Sequence, residues 1–89
     1  MESIERQVKV FKALGDPTRL MIIKMLAKCE KCVCEIIPKT GKSQPTISAH
    51  LKILHEAGLL KSRKEGLSVY YRLADDSIKE LIKAAEKIK

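Results

Sequence analysis

The chain has few aromatic residues and no tryptophan, so its core must be built from aliphatic side chains. Phe11, Tyr70 and Tyr71 are the only aromatic residues among 89, although 45% of all residues are hydrophobic. A chain of this length can build one modest core but not two. We therefore predict a single domain over residues 1–89, and we expect a partner subunit to complete so small a core.

Long hydrophobic runs are also missing, which argues against a membrane-spanning segment. No stretch approaches the roughly 18 uninterrupted apolar residues that a spanning helix needs. Residues 1–5 (MESIE) lack the basic start and apolar run of a secretory signal, so we expect a cytoplasmic protein with no membrane partner. Its three cysteines cannot all pair within one chain, and cysteines in that compartment rarely form a disulfide framework.

The net charge of +7 is confined to the first 74 residues. Residues 1–42 carry an excess of +4, residues 43–74 an excess of +3, and residues 75–89 are balanced. This distribution is compatible with a polyanionic partner such as a nucleic acid. Lysine-rich surfaces are common, so charge alone does not identify the partner.

Apolar periodicity and local start and stop signals predict four helices in the first part of the chain. Asp16 followed by Pro17 marks one helix start, since the carboxylate caps free backbone N–H groups and proline suits the first turn. Ser43 marks another start, and Gly58 a stop. The predicted spans are 4–14, 17 to about 27, about 33–40, and 43–57.

The third and fourth helices, joined by a glycine turn at residues 41–42, have the form of a helix-turn-helix unit. The apolar stripe Ile47, Leu51 and Leu54 leaves mainly small polar side chains on the other side of the fourth helix. Such side chains can enter the major groove and contact phosphates and base edges. The predicted DNA-reading residues are Ser43, Gln44, Thr46, Ser48, Ala49, His50 and Lys52.

A basic hairpin is predicted next, with arms at residues 60–64 and 67–73 around a tight turn at residues 65–66. Two strands carrying cations beside a recognition helix form a wing, which contacts the DNA backbone or the neighbouring minor groove. A last amphipathic helix begins near Ile78. The predicted fold class is mainly α with a two-stranded β-hairpin, a winged helix-turn-helix of order α-α-α-α-β-β-α. The predicted wing cations are Lys61, Arg63, Lys64 and Arg72.

Each of these features also has an ordinary structural explanation. Residues 43–57 alone fit a plain surface helix, with His50 solvated or bonded within the fold. The combination of turn, cap, polar face and basic hairpin favours DNA binding.

Three segments of the sequence resemble the arsenical-resistance repressor family (ArsR/SmtB). Residues 11–20 (FKALGDPTRL) look like its opening, and residues 43–52 (SQPTISAHLK) look like its recognition helix. Residues 63–66 (RKEG) and 69–73 (VYYRL) look like its wing. The resemblance covers almost the whole chain in the right order. It implies a winged-helix homodimer built on residues 1–14 and 75–89. It also implies binding to double-stranded DNA at an imperfect inverted repeat, and release of that DNA when an inducer binds.

Cys29, Cys32 and Cys34 form a short cluster with metal-binding chemistry. Thiolates are soft ligands for ions such as zinc, cadmium or copper(I), and trivalent arsenic and antimony belong to the same class. In an uninterrupted helix Cys32 and Cys34 would be about 200° apart, so binding both is expected to distort the third helix. That distortion would couple an inducer to the recognition helix. Residues 32–35 (CVCE) also resemble the inducer-binding Cys-Val-Cys-Asp segment of arsenic-responsive members, which often have a further cysteine where Ile37 stands here.

Three interpretations of the cluster remain open. In the first, Cys29, Cys32 and Cys34 together bind arsenic(III), antimony(III) or another thiophilic metal ion. In the second, they sense oxidants, because Cys29 and Cys32 have disulfide-compatible spacing and Lys28 and Lys31 favour a thiolate. In the third, Cys34 is a small buried apolar residue and the other two are incidental.

The sequence therefore predicts a sequence-specific DNA-binding regulator, a repressor controlled by these cysteines that needs no cofactor to bind DNA. The alternative is an effector-independent winged-helix module that binds nucleic acid or another protein. An enzyme with a cysteine nucleophile is disfavoured. His50 and His55 fall on the predicted recognition helix, with no acid or oxyanion element beside them.

Overall fold

Five helices and three strands make up the computed structural model, which describes residues 2–88. Met1 and Lys89, the outer ends of the predicted dimerisation segments, lie outside the described residues. The predicted winged helix-turn-helix is confirmed, with one additional short strand. The elements are α1 Glu2–Leu14, α2 Pro17–Leu26, β1 Lys31–Cys32, α3 Val33–Thr40, α4 Gln44–Glu56, β2 Leu60–Glu65, β3 Ser68–Leu73 and α5 Ser77–Glu86.

The helix starts follow from local capping. The side chain of Asp16 accepts a hydrogen bond from the backbone N–H of Arg19 at 3.0 Å, and Pro17 occupies the first turn of α2. Ser43 caps α4 in the same way, accepting from the N–H of Thr46 at 3.4 Å. Gly41 ends α3 with a φ of 70°, a left-handed conformation that glycine adopts without strain.

The core is aliphatic, as the composition predicts. Its fully buried members include Ile22, Ile23, Ile36 and Leu54, contributed by α2, α3 and α4. The apolar spacing of α2 predicts that Leu20, Ile23 and either Met21 or Met25 face inward; Ile23 is buried and Met25 packs against the core, whereas Met21 is 41% exposed. The helix also buries Ile22 and Leu26. The reason is that α2 packs against α1, α3, α4 and β3, so its buried sector is wider than one amphipathic stripe.

The apolar stripe of α1 points away from the core. Ile4, Val8 and Phe11 are 52%, 44% and 59% exposed, whereas Ala13 on the other side of the helix is buried. The apolar spacing of α1 predicts a stripe of Ile4, Val8, Phe11 and Leu14; Leu14 packs against the core, whereas the other three residues are exposed and have no core partner in the described protomer. This unpartnered face consists of Ile4, Val8 and Phe11, and we call it the α1 apolar face.

The wing is a three-stranded antiparallel sheet of order β1-β3-β2. Strand β3 pairs with β2 along its length, from Leu60 opposite Leu73 to Glu65 opposite Ser68. It also pairs with β1, where Cys32 lies opposite Tyr70. The sequence predicts only two strands, because two residues are too few to show an alternating pattern. Among residues 2–88, no helix is long and apolar enough to cross a membrane.

Candidate nucleic-acid interface and cysteine site

Helix α4 exposes nearly all of the predicted DNA-reading residues. Its buried side consists of Ile47, Leu51 and Leu54, which anchor it to the core. The predicted residues that are exposed are Ser43, Gln44, Thr46, Ser48, Ala49 and Lys52. These residues are therefore accessible on the exposed sides of α4, beginning at its N-terminus.

His50 differs from the other predicted reading residues because it is half-buried and already has a partner. Its Nδ1 lies 3.2 Å from Nη1 of Arg19, on the first turns of α2. Arg19 also donates from Nε to the carbonyl oxygen of Ala13 at 2.7 Å, at the end of α1. Since an arginine can only donate, this contact is a hydrogen bond in the tautomer in which His50 Nδ1 is the acceptor.

The wing presents four exposed cations, as the sequence predicts. Lys61 and Arg72 lie opposite each other on β2 and β3, and Arg63 lies opposite Tyr70. Lys61, Lys64 and Arg72 form no salt bridge with other described residues. Arg63 is different, because it contacts two carboxylates.

Arg63 is held by Glu30 and Glu65. Its Nη2 lies 2.7 Å from Glu30 Oε1, its Nη1 lies 2.7 Å from Glu65 Oε2, and its guanidinium carbon lies 4.5 Å above the ring of Tyr70. The hydrogen bonds from Arg63 hold the pKa of the Glu30 carboxyl below its ordinary value. Arg63 is therefore paired within the protein, whereas the other wing cations are not.

Cys32 and Cys34 meet at the start of α3. Cys32 occupies the N-cap position with extended backbone angles, and its sulfur accepts a hydrogen bond from the backbone N–H of Cys34 at 3.2 Å. Glu35 completes a capping box by accepting from the N–H of Cys32 at 3.0 Å. The two sulfurs are joined in a disulfide, with the Cα atoms 5.1 Å apart.

This geometry corrects the expectation that Cys32 and Cys34 reach one ligand only by distorting the helix. That expectation treats both residues as helical. Cys32 precedes the first helical residue, so its side chain turns back toward Cys34. The pairing of the two sulfurs is compatible with an intact α3.

Cys29 does not join this pair. It is an exposed free thiol in the segment between α2 and β1, where Lys31 Nζ lies 3.5 Å from its sulfur. Across residues 2–88, no group of three or more histidine, cysteine, aspartate or glutamate side chains is gathered as a metal site. The disulfide joins Cys32 and Cys34, and not Cys29 and Cys32, whose spacing is also compatible with a disulfide.

Comparison with known proteins identifies the family. Residues 16–62, more than half of the chain, match the model described as "Bacterial regulatory protein, arsR family". The chain belongs to that family. It is 52% identical over 89 residues to an uncharacterized HTH-type transcriptional regulator of Methanocaldococcus jannaschii, covering 99% of this chain and 100% of the relative. The resemblance to the ArsR/SmtB family is thus confirmed.

This arsR-family chain is also similar to a named repressor and to a solved winged helix-turn-helix domain. It is 47% identical over 68 residues to the arsenical resistance operon repressor of Escherichia coli, covering 75% of this chain and 58% of the repressor, so it spans less than two thirds of that relative. A homodimeric winged helix-turn-helix DNA-binding domain from Mycobacterium bovis, a possible ArsR-family regulator, has a TM-score of 0.89 at 34% identity. That match covers 96% of this chain and 79% of the other. The arsR-family chain is therefore a transcriptional regulator and not an enzyme.

In this arsR-family regulator, the cysteine pair and helix α4 border one cleft. The cleft has a volume of about 400 Å³ and lies between α3, α4 and β3. Cys32 and Cys34 line it together with Gln44 and Ser48 of α4 and Tyr71 of β3. A change at the two sulfurs is therefore adjacent to side chains predicted to read DNA.

Sequence reasoning missed three residues that organise this regulator's surface. Arg19 connects α1, α2 and α4, while Glu30 and Tyr70 hold Arg63. Arg19 and Glu30 have partners more than 30 residues away, and Tyr70 meets Arg63 only through the register of the hairpin, so no local pattern marks these contacts. The one available signal is the position of Glu30 inside the cysteine segment, where it interrupts a run of lysines.

Proposed function

We propose that this arsR-family regulator is a homodimeric transcriptional repressor of the cytoplasm, whose Cys32–Cys34 pair controls its release from DNA. The observation that carries the proposal is the common cleft, in which both cysteines lie beside Gln44 and Ser48. The pair is also part of the capping structure at the start of α3. A ligand or bond at the sulfurs therefore acts on the helix-turn-helix directly.

DNA binding is assigned to the exposed surface of α4 and to the wing. The residues that share this surface are Ser43, Gln44, Thr46, Ser48, Ala49, Lys52, Lys61, Lys64 and Arg72. The small hydroxyl and amide groups fit base edges and phosphates, while the lysines and arginine fit the backbone. We assign a supporting role to His50, because Arg19 already engages its Nδ1, and we treat Arg63 separately below.

The homodimer rests on the α1 apolar face. Ile4, Val8 and Phe11 together form an exposed stripe on a helix near α5, where Phe11 and Leu81 line one groove. Such a patch marks a protein interface more often than a solvated surface. The similar M. bovis domain is homodimeric. We therefore assign dimerisation to residues 1–14 and 75–89, with residues 1–89 acting as a single domain.

The operator follows from the symmetry of a homodimer. A two-fold dimer presents two copies of α4, and these contact two half-sites related by the same axis. We therefore propose that the operator is double-stranded DNA with an imperfect inverted repeat, whose two half-sites each bind one copy of α4.

We propose that the inducer is a thiophilic metal or metalloid ion, such as arsenic(III) or antimony(III). Cys32 is buried and Cys34 is exposed, and their sulfurs are adjacent. When both are reduced to thiolates, they are suitable ligands for a soft ion. The E. coli relative is named as an arsenical resistance operon repressor. A third thiolate from Cys29 requires a rearrangement of residues 29–31, since Cys29 does not contact the pair in this conformation.

Oxidant sensing is a second candidate, and the Cys32–Cys34 disulfide favours it. Two thiols and one hydrogen peroxide molecule give one disulfide and two water molecules, so the sulfurs lose two electrons and the peroxide gains them. The reverse step needs a reducing thiol. In this candidate the disulfide state is the one that releases DNA.

The experiment that tests both candidates is DNA release, measured by fluorescence anisotropy with the protein's own promoter fragment under anaerobic conditions. The protein is first reduced with a phosphine that is then removed. Sodium arsenite, cadmium, zinc and hydrogen peroxide are added separately to the native protein, to Cys32→Ser/Cys34→Ser and to Cys29→Ser. Release by arsenite that is lost in the double variant supports the metalloid inducer, and its persistence in Cys29→Ser shows that two thiolates suffice.

The other outcomes are equally decisive. Release by peroxide alone, lost in the double variant, selects oxidant sensing. Tight DNA binding that no additive changes would overturn cysteine control and leave an effector-independent winged-helix module. Failure of the reduced native protein to prefer its promoter over random DNA would overturn the DNA-binding assignment itself.

A further inference from the structure

The cysteine segment and the wing are parts of one sheet. Strand β1, which contains Lys31 and Cys32, is the edge strand that pairs with β3 at Tyr71 and Tyr70. Glu30 directly precedes this strand. Its backbone position is therefore fixed relative to the wing by the β1–β3 pairing.

From this position, Glu30 holds Arg63 on the other side of β3. The Arg63 Nε lies 3.0 Å from Glu30 Oε1 and 3.1 Å from Oε2, and Nη2 lies 2.7 Å from Oε1. The remaining terminal nitrogen, Nη1, donates to Glu65 at 2.7 Å. All three nitrogens of the guanidinium thus have a carboxylate partner.

The edge formed by Nε and Nη2 is one that arginine uses to bind phosphate with two parallel hydrogen bonds. A carboxylate and a phosphate have similar geometry as acceptors, so they compete for this edge. The Arg63 side chain is 45% exposed and that of Glu30 is 30% exposed, so a DNA phosphate can approach the pair from solvent. Binding of a phosphate by two parallel hydrogen bonds at this edge therefore requires that the phosphate replace Glu30.

We propose that Glu30 is a positioning residue that occupies the phosphate-binding edge of Arg63 and so limits the wing's affinity for DNA. The inference rests on the proposed DNA contact of the wing. It makes the cysteine segment a direct participant in that contact, because the competing carboxylate lies between Cys29 and the strand that ends at Cys32. Lys61, Lys64 and Arg72 form no hydrogen bond or salt bridge with a carboxylate among the described residues, although Arg72 lies close enough to Glu30 to help lower the pKa of that carboxyl.

The test is a double-mutant cycle on DNA affinity, measured with the full chain at several salt concentrations. Glu30→Gln removes the charge of the competitor and keeps the side-chain shape. We expect it to tighten binding to the promoter fragment by a factor of about 3 to 5 at low salt, the range of an exposed ion pair. In the Arg63→Ala background the same change should have almost no effect. In the Arg63→Lys background, which keeps the charge but lacks the two-nitrogen edge, the effect should be smaller than in the native protein.

Glu56→Gln is the matched control, since Glu56 pairs with Lys52 on α4 and does not contact Arg63. Removal of a negative charge that acts only through the overall charge of the protein should tighten DNA binding equally whether residue 63 is arginine or alanine. We expect this result for Glu56→Gln. If Glu30→Gln is also additive with Arg63→Ala, the inference is wrong while the proposed function stands. Lys64→Ala tests the proposed DNA contact of the wing separately from the role of Glu30. It should weaken DNA binding and reduce the slope of log affinity against log salt concentration by about one unit. If neither Lys64→Ala nor Arg63→Ala alters affinity, the wing does not contact DNA and the proposed interface fails as well.

Discussion

Arg19 and His50 are 31 residues apart in the sequence, yet Nη1 of one lies 3.2 Å from Nδ1 of the other. The same guanidinium donates to the carbonyl oxygens of Ala13 at 2.7 Å and Lys12 at 3.4 Å. One side chain thus ties the end of α1 to the middle of α4. In the proposed homodimer it connects the subunit interface with the DNA-reading helix.

We expect Arg19→Ala to lower the free energy of unfolding by about 1–3 kcal/mol, because it leaves partly buried acceptors without their donor. Urea denaturation of the free protein measures this. Arg72→Ala is the control, since Arg72 is an exposed arginine without a salt bridge among the described residues. The effects of Arg19→Ala and His50→Ala should be less than additive, because they remove the same contact. Strict additivity would show that the contact contributes nothing.

Gln44→Ala and Ser48→Ala should each weaken binding to the operator by about 1–3 kcal/mol where a base contact is lost, with little change in binding to random DNA. Both side chains are exposed, so neither change should affect folding. Anisotropy titrations with operator and random duplexes measure the ratio of the two affinities. His55→Ala, at the far end of α4, is the control. An unchanged ratio for both variants would mean that α4 does not read the bases.

Phe11→Asp should convert the dimer to a monomer at micromolar concentration, because it places a charge in the α1 apolar face. Sedimentation velocity measures the change. Leu67→Asp is a matched control, since Leu67 is a fully exposed apolar residue at the tip of the wing and outside the proposed interface. A Phe11→Asp protein that sediments as a dimer would exclude the α1 apolar face from the interface.

Asp16 should make the protein sensitive to acid. The hydrogen bond from the backbone N–H of Arg19 lowers the pKa of the Asp16 carboxyl from its ordinary value of 3.8. A lowered folded-state pKa gives stability that is present above the unfolded pKa and is lost as the pH falls through the folded value. Asn is also a good N-cap but does not titrate. The stability difference between the native protein and Asp16→Asn should therefore shift in favour of the variant as the pH falls below 3.8.

Urea denaturation at a series of pH values gives that difference directly. Glu30 and Asp75, whose carboxyl pKa values are also lowered, are present in both proteins, so their contributions cancel. A difference that stays constant with pH would mean that Asp16 does not cap α2 as an ionised group.

The amino-acid sequence by itself determined the helices, the caps of α2 and α4, and the helix-turn-helix. Asp16, Ser43 and Gly41 act within one turn of the chain, and the stripe at Ile47, Leu51 and Leu54 has the period of a helix. Signals of this kind depend only on neighbours three or four residues away. They can therefore be read without the fold. The exposed reading face of α4 and the basic hairpin follow from the same local patterns.

Only the tertiary structure decided which side chains pair across the molecule. Strand β1 exists because β3 lies beside it, and two residues have no period of their own. Glu30 meets Arg63 across 33 residues, and Arg19 meets His50 across 31. The orientation of the α1 apolar face depends likewise on which side of α1 packs against α2 and α4. Contacts between residues far apart in sequence are set by packing of whole elements, and no local pattern of residue types specifies them.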